Sequence, residues 1–229
     1  EFTMRYEMVY FDLDNTLLDF SRSEKESLYY VFSKYGFELK NEQVELYIQI
    51  NKKWWQDYSK GLYSKDHIVV ARFKEFLEKI GAMSIPVEKI STEYLDKLSQ
   101  TAYFVPGARQ FLEKMKLRNQ RMAILTNGVK KVQEARAKIL GLQNYVEFII
   151  TSEQVKKPKP DPAMFSLAAQ LSGVRLDSSV YVGDDPVIDH QAAKNAGMDF
   201  ILFDPSGANF KNEFPVVKDF DELYAVLCV

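Results

Sequence analysis

The feature of this sequence that most limits its possible folds is a regular alternation of short apolar runs and helical segments after residue 106. Runs typical of buried strands lie at residues 122–125, 148–150, 179–182 and 200–203, and a first run lies at 5–11. Segments with helical spacing separate the later runs from one another. Consecutive strands joined by helices form a parallel sheet that carries helices on both of its faces. The sequence therefore predicts an α/β fold with a doubly wound, Rossmann-like parallel sheet of five strands.

Residues 19–102 carry a different pattern, because helical spacing continues there without any strand-like run. Ser21 or Ser23 is expected to cap the first of four helices, and Pro86 is expected to start the fourth. Four consecutive helices with short links favour a small helical bundle. We therefore expect a core domain at 4–18 and 103–229, and an inserted helical bundle at 19–102. Apolar faces at helical spacing support this division: Tyr47, Ile50, Trp54 and Tyr58 form one, and Ile68, Phe73, Phe76, Leu77 and Ile80 another.

The composition excludes several classes of function. With 46% hydrophobic and 27% charged residues, the chain has the make-up of an ordinary globular protein. A formal net charge of −2 gives no support for binding to nucleic acid or to a membrane surface. No apolar run approaches the ~18 residues of a membrane span, and the single Cys228 suits a reducing compartment. We expect a cytoplasmic protein, monomeric or homodimeric, whose partner is a small molecule.

Two acidic residues follow the first strand, one residue apart. In open parallel sheets, ligands bind just beyond the carboxyl ends of the strands, so Asp12 and Asp14 lie where a catalytic loop is expected. Two carboxylates this close repel each other, which favours a bound cation or a division into acid and base roles. Phosphoryl transfer uses such a set: one carboxylate to attack, one to move protons, and a metal ion. The alternative is that Asp-Leu-Asp-Asn forms only a turn and a helix cap.

Other strand ends carry complementary groups. Thr126 and Asn127 offer a hydroxyl and backbone N–H groups suited to phosphate oxygens. Acidic residues, whose carboxylate oxygens are the ligands that Mg²⁺ prefers, follow a later strand. A proline-rich loop between them contains three lysines, one of which could direct its ammonium into the site. Each piece alone could be a turn, a helix cap or a solvated loop, but together they predict one site. The acidic residues are Asp184, Asp185 and Asp189, and the lysines are Lys156, Lys157 and Lys159.

These motifs resemble those of the haloacid dehalogenase superfamily of aspartate-nucleophile hydrolases, and the resemblance covers nearly the whole chain. The first motif, Asp-x-Asp-x-Thr, matches residues 12–16, and the second, a Thr after an apolar strand, matches Thr126. The third, a lysine before Pro-Asp-Pro, matches Lys159, and the fourth matches Gly183-Asp184 with Asp189. The inserted bundle resembles the helical type-1 cap of this superfamily. Residues 51–58 with Gly61, and residues 19–20, resemble its house-cleaning pyrimidine 5′-nucleotidases.

The resemblance implies a Mg²⁺-dependent mechanism. Asp12 would attack phosphorus to give an aspartyl-phosphate, and Asp14 would protonate the leaving alcohol and then activate water. Thr126 and Lys159 would hold phosphate oxygens. The metal would be bound by Asp12, the backbone carbonyl of Asp14, and Asp184. Asp189 and Asp185 would lie outside the metal ligands: Asp189 would orient Lys159 or a metal-bound water, whereas the role of Asp185, where relatives often have a small hydroxyl residue, stays open.

We therefore expect a phosphomonoester hydrolase, with nucleoside 5′-monophosphates as candidate substrates. A base could stack on Trp55, although Trp55 could equally pack inside the bundle, where we expect Trp54. A small sugar-phosphate or triose-phosphate phosphatase is the alternative. A 2-haloacid dehalogenase is disfavoured because such enzymes lack a carboxylate at the position of Asp14. A non-catalytic binding module is disfavoured because no catalytic position has been lost.

Overall fold

The computed structural model describes residues 3–208 and 213–228, and a six-stranded parallel sheet forms its centre. The strands are β1 (Met8–Phe11), β2 (Arg121–Thr126), β3 (Ile149–Thr151), β4 (Ser179–Gly183), β5 (Asp199–Phe203) and β6 (Val216–Val217). Their order is β3-β2-β1-β4-β5-β6, and every neighbouring pair is parallel. The predicted α/β parallel fold is confirmed. The predicted number of five strands was wrong, because β6 has only two residues and therefore no readable periodicity.

Four helices form the bundle between β1 and β2: α1 (Phe20–Ser33), α2 (Asn41–Ser59), α3 (Lys65–Ile80) and α4 (Val87–Leu98). Their apolar faces form one core, in which Tyr47 contacts the rings of Phe73, Phe76 and Tyr94 at 5.2 to 5.8 Å between centroids. Neither Ser21 nor Ser23 caps α1. Asp19 does so, because its carboxylate accepts a hydrogen bond from the backbone N–H of Arg22 at 3.0 Å.

In the described part of the chain, six further α-helices accompany the sheet: α5 (Ala108–Leu117), α6 (Lys130–Ile139), α7 (Ser152–Val155), α8 (Ala163–Ser172), α9 (Ile188–Ala196) and α10 (Phe220–Leu227). Successive side chains of a strand point to opposite faces. Val9 and Phe11 accordingly pack with α5 and α10 on one face. Tyr10 packs with α8 and α9 on the other. Both faces of the sheet are therefore covered, which leaves the ends of the strands as the place for a site.

The bundle contacts the sheet at the carboxyl ends of its strands. Lys65, at the start of α3, is buried, and its ammonium donates hydrogen bonds to the Gly128 carbonyl at 2.7 Å and to Ser152 Oγ at 2.9 Å. Tyr58 of α2 shares a hydrogen bond with the same serine at 2.7 Å. Gly128 lies two residues beyond the end of β2, and Ser152 directly follows β3, so the bundle lies above the strand ends. Within residues 3–208 and 213–228, none of the helices has the length and apolarity to cross a membrane.

Candidate active site

A cavity of about 240 Å³ lies between the bundle and the carboxyl ends of β1, β2 and β4. Side chains from strand ends form its floor, and side chains from α2, α3 and α4 form much of its wall. The structure thus brings every residue predicted for the site into one cavity: Asp12, Asp14, Trp55, Thr126, Asn127, Lys159, Asp184, Asp185 and Asp189. Residues more than 170 positions apart in the sequence meet here because the parallel sheet aligns its strand ends.

The loop after β1 positions Asp12 and Asp14. The backbone N–H of Asp12 donates to the Val182 carbonyl at 2.8 Å, which extends the pairing of β1 with β4 by one residue. The Leu13 carbonyl then accepts N–H groups from residues 17 and 18, so the chain closes into a tight turn. Asn15 adopts a φ of 57°, a left-handed conformation that asparagine tolerates better than most residues. The local sequence therefore holds Asp12 at the strand end, where it is almost fully buried.

Lys159 is the lysine of the proline-rich loop that enters the cavity. Its ammonium donates to Asp12 Oδ1 at 3.0 Å, to Asp189 Oδ1 at 2.8 Å and to the Tyr181 hydroxyl at 2.6 Å. Burial by itself would lower the pKa of Lys159, but the charges of Asp12 and Asp189 outweigh it and hold this pKa well above its ordinary value. The site therefore contains a buried ammonium group between two carboxylates. Lys156 and Lys157 are exposed and lie outside the cavity.

Asn127 fixes the position of the Lys159 backbone. Its side-chain carbonyl accepts the Lys159 N–H at 2.8 Å, and its side-chain amide donates to the Lys159 carbonyl at 3.1 Å. The neighbouring Thr126 Oγ1 accepts hydrogen bonds from the Gly128 N–H at 3.1 Å and from Gln133 Nε2 at 3.0 Å. Both contacts use the Thr126 hydroxyl as an acceptor, so its own proton can be donated to a bound group.

Three carboxylates form a cluster that fits a divalent cation. Oxygen atoms of Asp12, Asp184 and Asp189 lie within 4.8 Å of one another. Burial raises the pKa of Asp12 to about 7, against the opposing charge of Lys159. Burial together with the charge of Asp12 raises the pKa of Asp184 well above its usual range. An all-oxygen donor set in which negative charges repel fits Mg²⁺, because the ion would offset the charge that burial makes costly.

Asp189 and Asp185 have partners that define their places in the cluster. One oxygen of Asp189 accepts from Lys159, and the other accepts the backbone N–H of Asp185 at 3.1 Å. A Cβ at Gly183 would lie 2.3 Å from Asp189 Oδ2, so only glycine allows this close approach. The Asp185 side chain accepts the N–H groups of Val187 and Ile188, both at 2.8 Å. Asp185 thus satisfies the backbone at the turn into α9.

Asp14 is held by two residues that the motifs do not reveal. Its two carboxylate oxygens accept hydrogen bonds from Arg136 Nη1 at 2.5 Å and from Gln133 Nε2 at 2.9 Å. Arg136 is fully buried, and its Nε donates to the Thr101 carbonyl at 3.2 Å. The arginine therefore links Asp14 to the segment by which the bundle returns to the sheet. The sequence did contain one indication that these two residues act together: Gln133 and Arg136 lie three residues apart and therefore on one side of α6.

The sequence analysis also did not predict a buried polar network inside the bundle. Asn51 donates to Glu24 Oε1 at 2.7 Å and accepts a hydrogen bond from Arg72 Nη1 at 2.8 Å. All three side chains are almost completely buried, and Arg72 reaches the cavity wall. Arg72 lies four residues from both Ile68 and Phe76, so helical spacing places it on the buried stripe of α3. A charged residue on the apolar stripe of α3 was therefore the sequence feature that indicated a buried polar network.

The network predicts a pH-dependent stability that Glu24 controls. Burial raises the pKa of Glu24 from 4.5 to about 7, although hydrogen bonding from Asn51 opposes this shift. The folded state then binds a proton more tightly than the unfolded state, so the free energy of unfolding falls as pH rises from about 4.5 to 7. Glu24→Gln keeps the acceptor and removes the titration. Between pH 5 and pH 8, the free energy of unfolding of the wild type should fall by up to about 3 kcal/mol relative to that of E24Q.

Urea unfolding of both proteins at the two pH values measures this difference. Subtracting E24Q from wild type at each pH cancels the groups that titrate in both. An equal pH dependence of the two proteins would show that Glu24 titrates as an exposed acid does.

Comparisons with known proteins agree with this geometry. The family model described as "Haloacid dehalogenase-like hydrolase" matches residues 9–203. The pyrimidine 5′-nucleotidase PynA of Streptococcus pneumoniae is 29% identical over 207 residues, covering 88% of this chain and 85% of that protein. The ribulose-1,5-bisphosphate 5-phosphatase of Halopiger xanaduensis is also 29% identical over 207 residues, covering 86% and 84%. The magnesium-bound HAD-hydrolase YfnB of Bacillus subtilis shares the fold, with a TM-score of 0.90, 24% identity, and coverage of 97% and 99%.

Proposed function

This chain belongs to the haloacid dehalogenase-like hydrolases and is a phosphoric monoester hydrolase, and from this premise we propose that it uses Mg²⁺ and an aspartyl-phosphate at Asp12. The observation that carries the proposal is the ammonium of Lys159, which bonds to Asp12 and Asp189, two of the three clustered carboxylates. A cationic donor next to a buried carboxylate suits attack on a phosphate ester, because it can stabilise charge on the phosphate oxygens.

Each residue of the floor has a role in this proposal. The Asp12 carboxylate attacks phosphorus and displaces the leaving alkoxide. Lys159 and the Thr126 hydroxyl donate hydrogen bonds to the phosphate oxygens. Asp12, Asp184 and the backbone carbonyl of Asp14 would bind Mg²⁺, which supplies positive charge against the phosphate when bound. Asp189 orients Lys159, since one of its oxygens accepts the lysine ammonium.

Asp14 is proposed to move protons in both steps. It protonates the leaving alkoxide and then takes a proton from the water that cleaves the aspartyl-phosphate. Both of its oxygens accept hydrogen bonds in this structure, from Arg136 and Gln133. A carboxylate oxygen has two lone pairs, so each oxygen of Asp14 keeps a further site for a proton beside these contacts.

The bundle is proposed to be a cap domain that selects the leaving group, with nucleoside 5′-monophosphates as the leading substrates. Trp55 lines the cavity and is only partly buried, so its ring is available for stacking. Trp54 points elsewhere, since its indole N–H donates to Glu75 at 2.8 Å and its ring packs on Tyr63. The similarity to a pyrimidine 5′-nucleotidase supports this choice. The similarity to ribulose-1,5-bisphosphate 5-phosphatase supports a sugar-phosphate substrate as the second candidate.

A turnover screen tests the proposed function. We expect phosphate release from p-nitrophenyl phosphate, uridine 5′-monophosphate and ribose 5-phosphate in the presence of Mg²⁺. Chelation with EDTA should abolish the release, and added Mg²⁺ should restore it. A 2-chloropropionate arm monitors chloride. Chloride release that resists EDTA, without phosphate release from any ester, would refute the proposal.

A further inference from the structure

Arg72 lines the cavity, and within the part of the chain that the structure describes it carries a buried hydrogen-bond donor without a partner. The side chain is 1% exposed, and it lines the cavity wall. Its Nη1 donates to Asn51 and its Nε to the Val69 carbonyl, whereas Nη2 has no hydrogen-bond partner among residues 3–208 and 213–228. A buried donor left unsatisfied costs about 1–3 kcal/mol, and more when it is charged. Such a group calls for a ligand that completes its hydrogen bonding.

The guanidinium is held in place by all four helices of the bundle. Asn51 of α2 binds it and is itself bound to Glu24 of α1. Its Cζ lies 5.0 Å from the centroid of the Tyr94 ring of α4. The Val69 carbonyl, which accepts its Nε, also accepts the Ser91 hydroxyl at 2.7 Å. A donor fixed in this way loses little conformational entropy when a ligand binds.

The charge of Arg72 is already balanced within the bundle. Glu24 lies one asparagine away, so at pH 8 its carboxylate offsets the guanidinium charge. A balanced pair favours a neutral acceptor, since a second anion in this buried place would be left without its own counter-charge. The best-matched neutral acceptor for an N–H donor is a carbonyl oxygen.

The surfaces around Arg72 suit a flat apolar group. Phe20, Trp55, Leu95 and Leu98 line the same cavity, while the charged floor lies at the strand ends. A ligand whose phosphate occupies the floor therefore extends its leaving group toward these apolar side chains and toward donors on the same wall, Arg72 among them with Lys52 and Gln56. Rings with a carbonyl oxygen combine both properties.

We propose that Arg72 is a specificity-determining residue whose Nη2 donates to a carbonyl oxygen on the planar ring of the substrate's leaving group. The inference rests on the proposed phosphatase function and adds to it the chemical class of substrate. A site built to hydrogen-bond a substrate group discriminates against analogues that lack this group, because the buried donor is then left unpaired.

A substrate series on the wild-type enzyme tests the proposal without altering the bundle. Uridine 5′-monophosphate is compared at pH 8 with 1-phenylribose 5-phosphate, which keeps an aromatic ring on the same sugar and lacks carbonyl groups. We expect kcat/KM to favour uridine 5′-monophosphate by about tenfold or more, the effect of one hydrogen bond to a charged group. A ratio near one, with both esters hydrolysed, would overturn the inference and leave the proposed function intact. No hydrolysis of these or of p-nitrophenyl phosphate would refute the proposed function itself.

Two variants then assign the effect to Arg72. Arg72→Met should reduce the ratio of the two kcat/KM values to about one, whereas Lys74→Met, which removes an exposed cation from the same helix, should keep it. The ratio does not depend on the fraction of folded enzyme, because partial unfolding lowers both values equally. Where R72M does not fold, Arg72→Lys keeps a cation near Glu24 but has no Nη2, and it should show the same loss. A ratio that persists in the folded variant would overturn the role of Arg72.

Discussion

Lys159→Met should lower kcat for p-nitrophenyl phosphate by about 10³-fold in the presence of Mg²⁺, because it removes a preorganised cationic donor from a buried site. The ammonium bonds to Asp12 at 3.0 Å and to Asp189 at 2.8 Å, so its loss also leaves two carboxylates facing each other. Both the stabilisation of phosphate oxygens and the alignment of the nucleophile would then be lost.

Lys157→Met is the matched control for this prediction. Lys157 belongs to the same loop, but its ammonium is exposed and lies 3.6 Å from Asp161. Its removal should change kcat less than twofold, since Lys157 does not line the cavity. Circular dichroism and thermal unfolding with Mg²⁺ establish that both variants are folded. A folded K159M that retains a tenth of wild-type turnover, or a severe loss in K157M, would contradict the assignment.

Asp14→Asn should separate the two chemical steps. General acid catalysis contributes about 10²–10⁴-fold, and it matters most when the leaving group is a poor one. An alkyl phosphate needs the proton, whereas p-nitrophenolate leaves without it. We therefore expect aspartyl-phosphate formation to fall by about 10²-fold or more for alkyl esters and far less for p-nitrophenyl phosphate. Because the same residue activates water, the variant should accumulate the phosphoenzyme with the activated ester.

Rapid-quench kinetics with both ester types decides between the outcomes. The substitution is conservative in shape, since the asparagine carbonyl can still accept from Arg136. Asp185→Asn serves as a control, because Asp185 also lines the cavity while its side chain accepts hydrogen bonds from the turn into α9. An equal loss of the first-step rate for alkyl and aryl esters would remove Asp14 from the general-acid role.

Most of the fold could be predicted because its signals are local. The α5 boundaries of 108–117 match the helical spacing, and β1, β2, β4 and β5 each contain a run of apolar residues long enough to recognise. Among the elements that were missed are β6, with two residues, and α7, with four. Elements this short have no period, and they form because the surrounding structure pairs or caps them.

The floor of the site could be located for a related reason. Asp12, Thr126 and Asp184 each follow a strand, and the topology alone brings the ends of parallel strands together. The residues that support them could not be inferred in the same way. Arg136 meets Asp14 across 122 positions of sequence, and Arg72 meets Asn51 across two helices. Helical spacing indicates that such side chains are buried, but it does not identify their partners.

The short outer strands of the sheet have a consequence for the behaviour of the protein in concentrated solution. β3 contains three residues and β6 contains two, so each edge offers few backbone groups to a strand of another molecule. Long, flat edges act as templates for intermolecular β-pairing, and short edges deny an incoming strand enough hydrogen bonds to stay attached. The strand that is easiest to overlook in the sequence thus helps to protect the folded molecule from edge-to-edge aggregation.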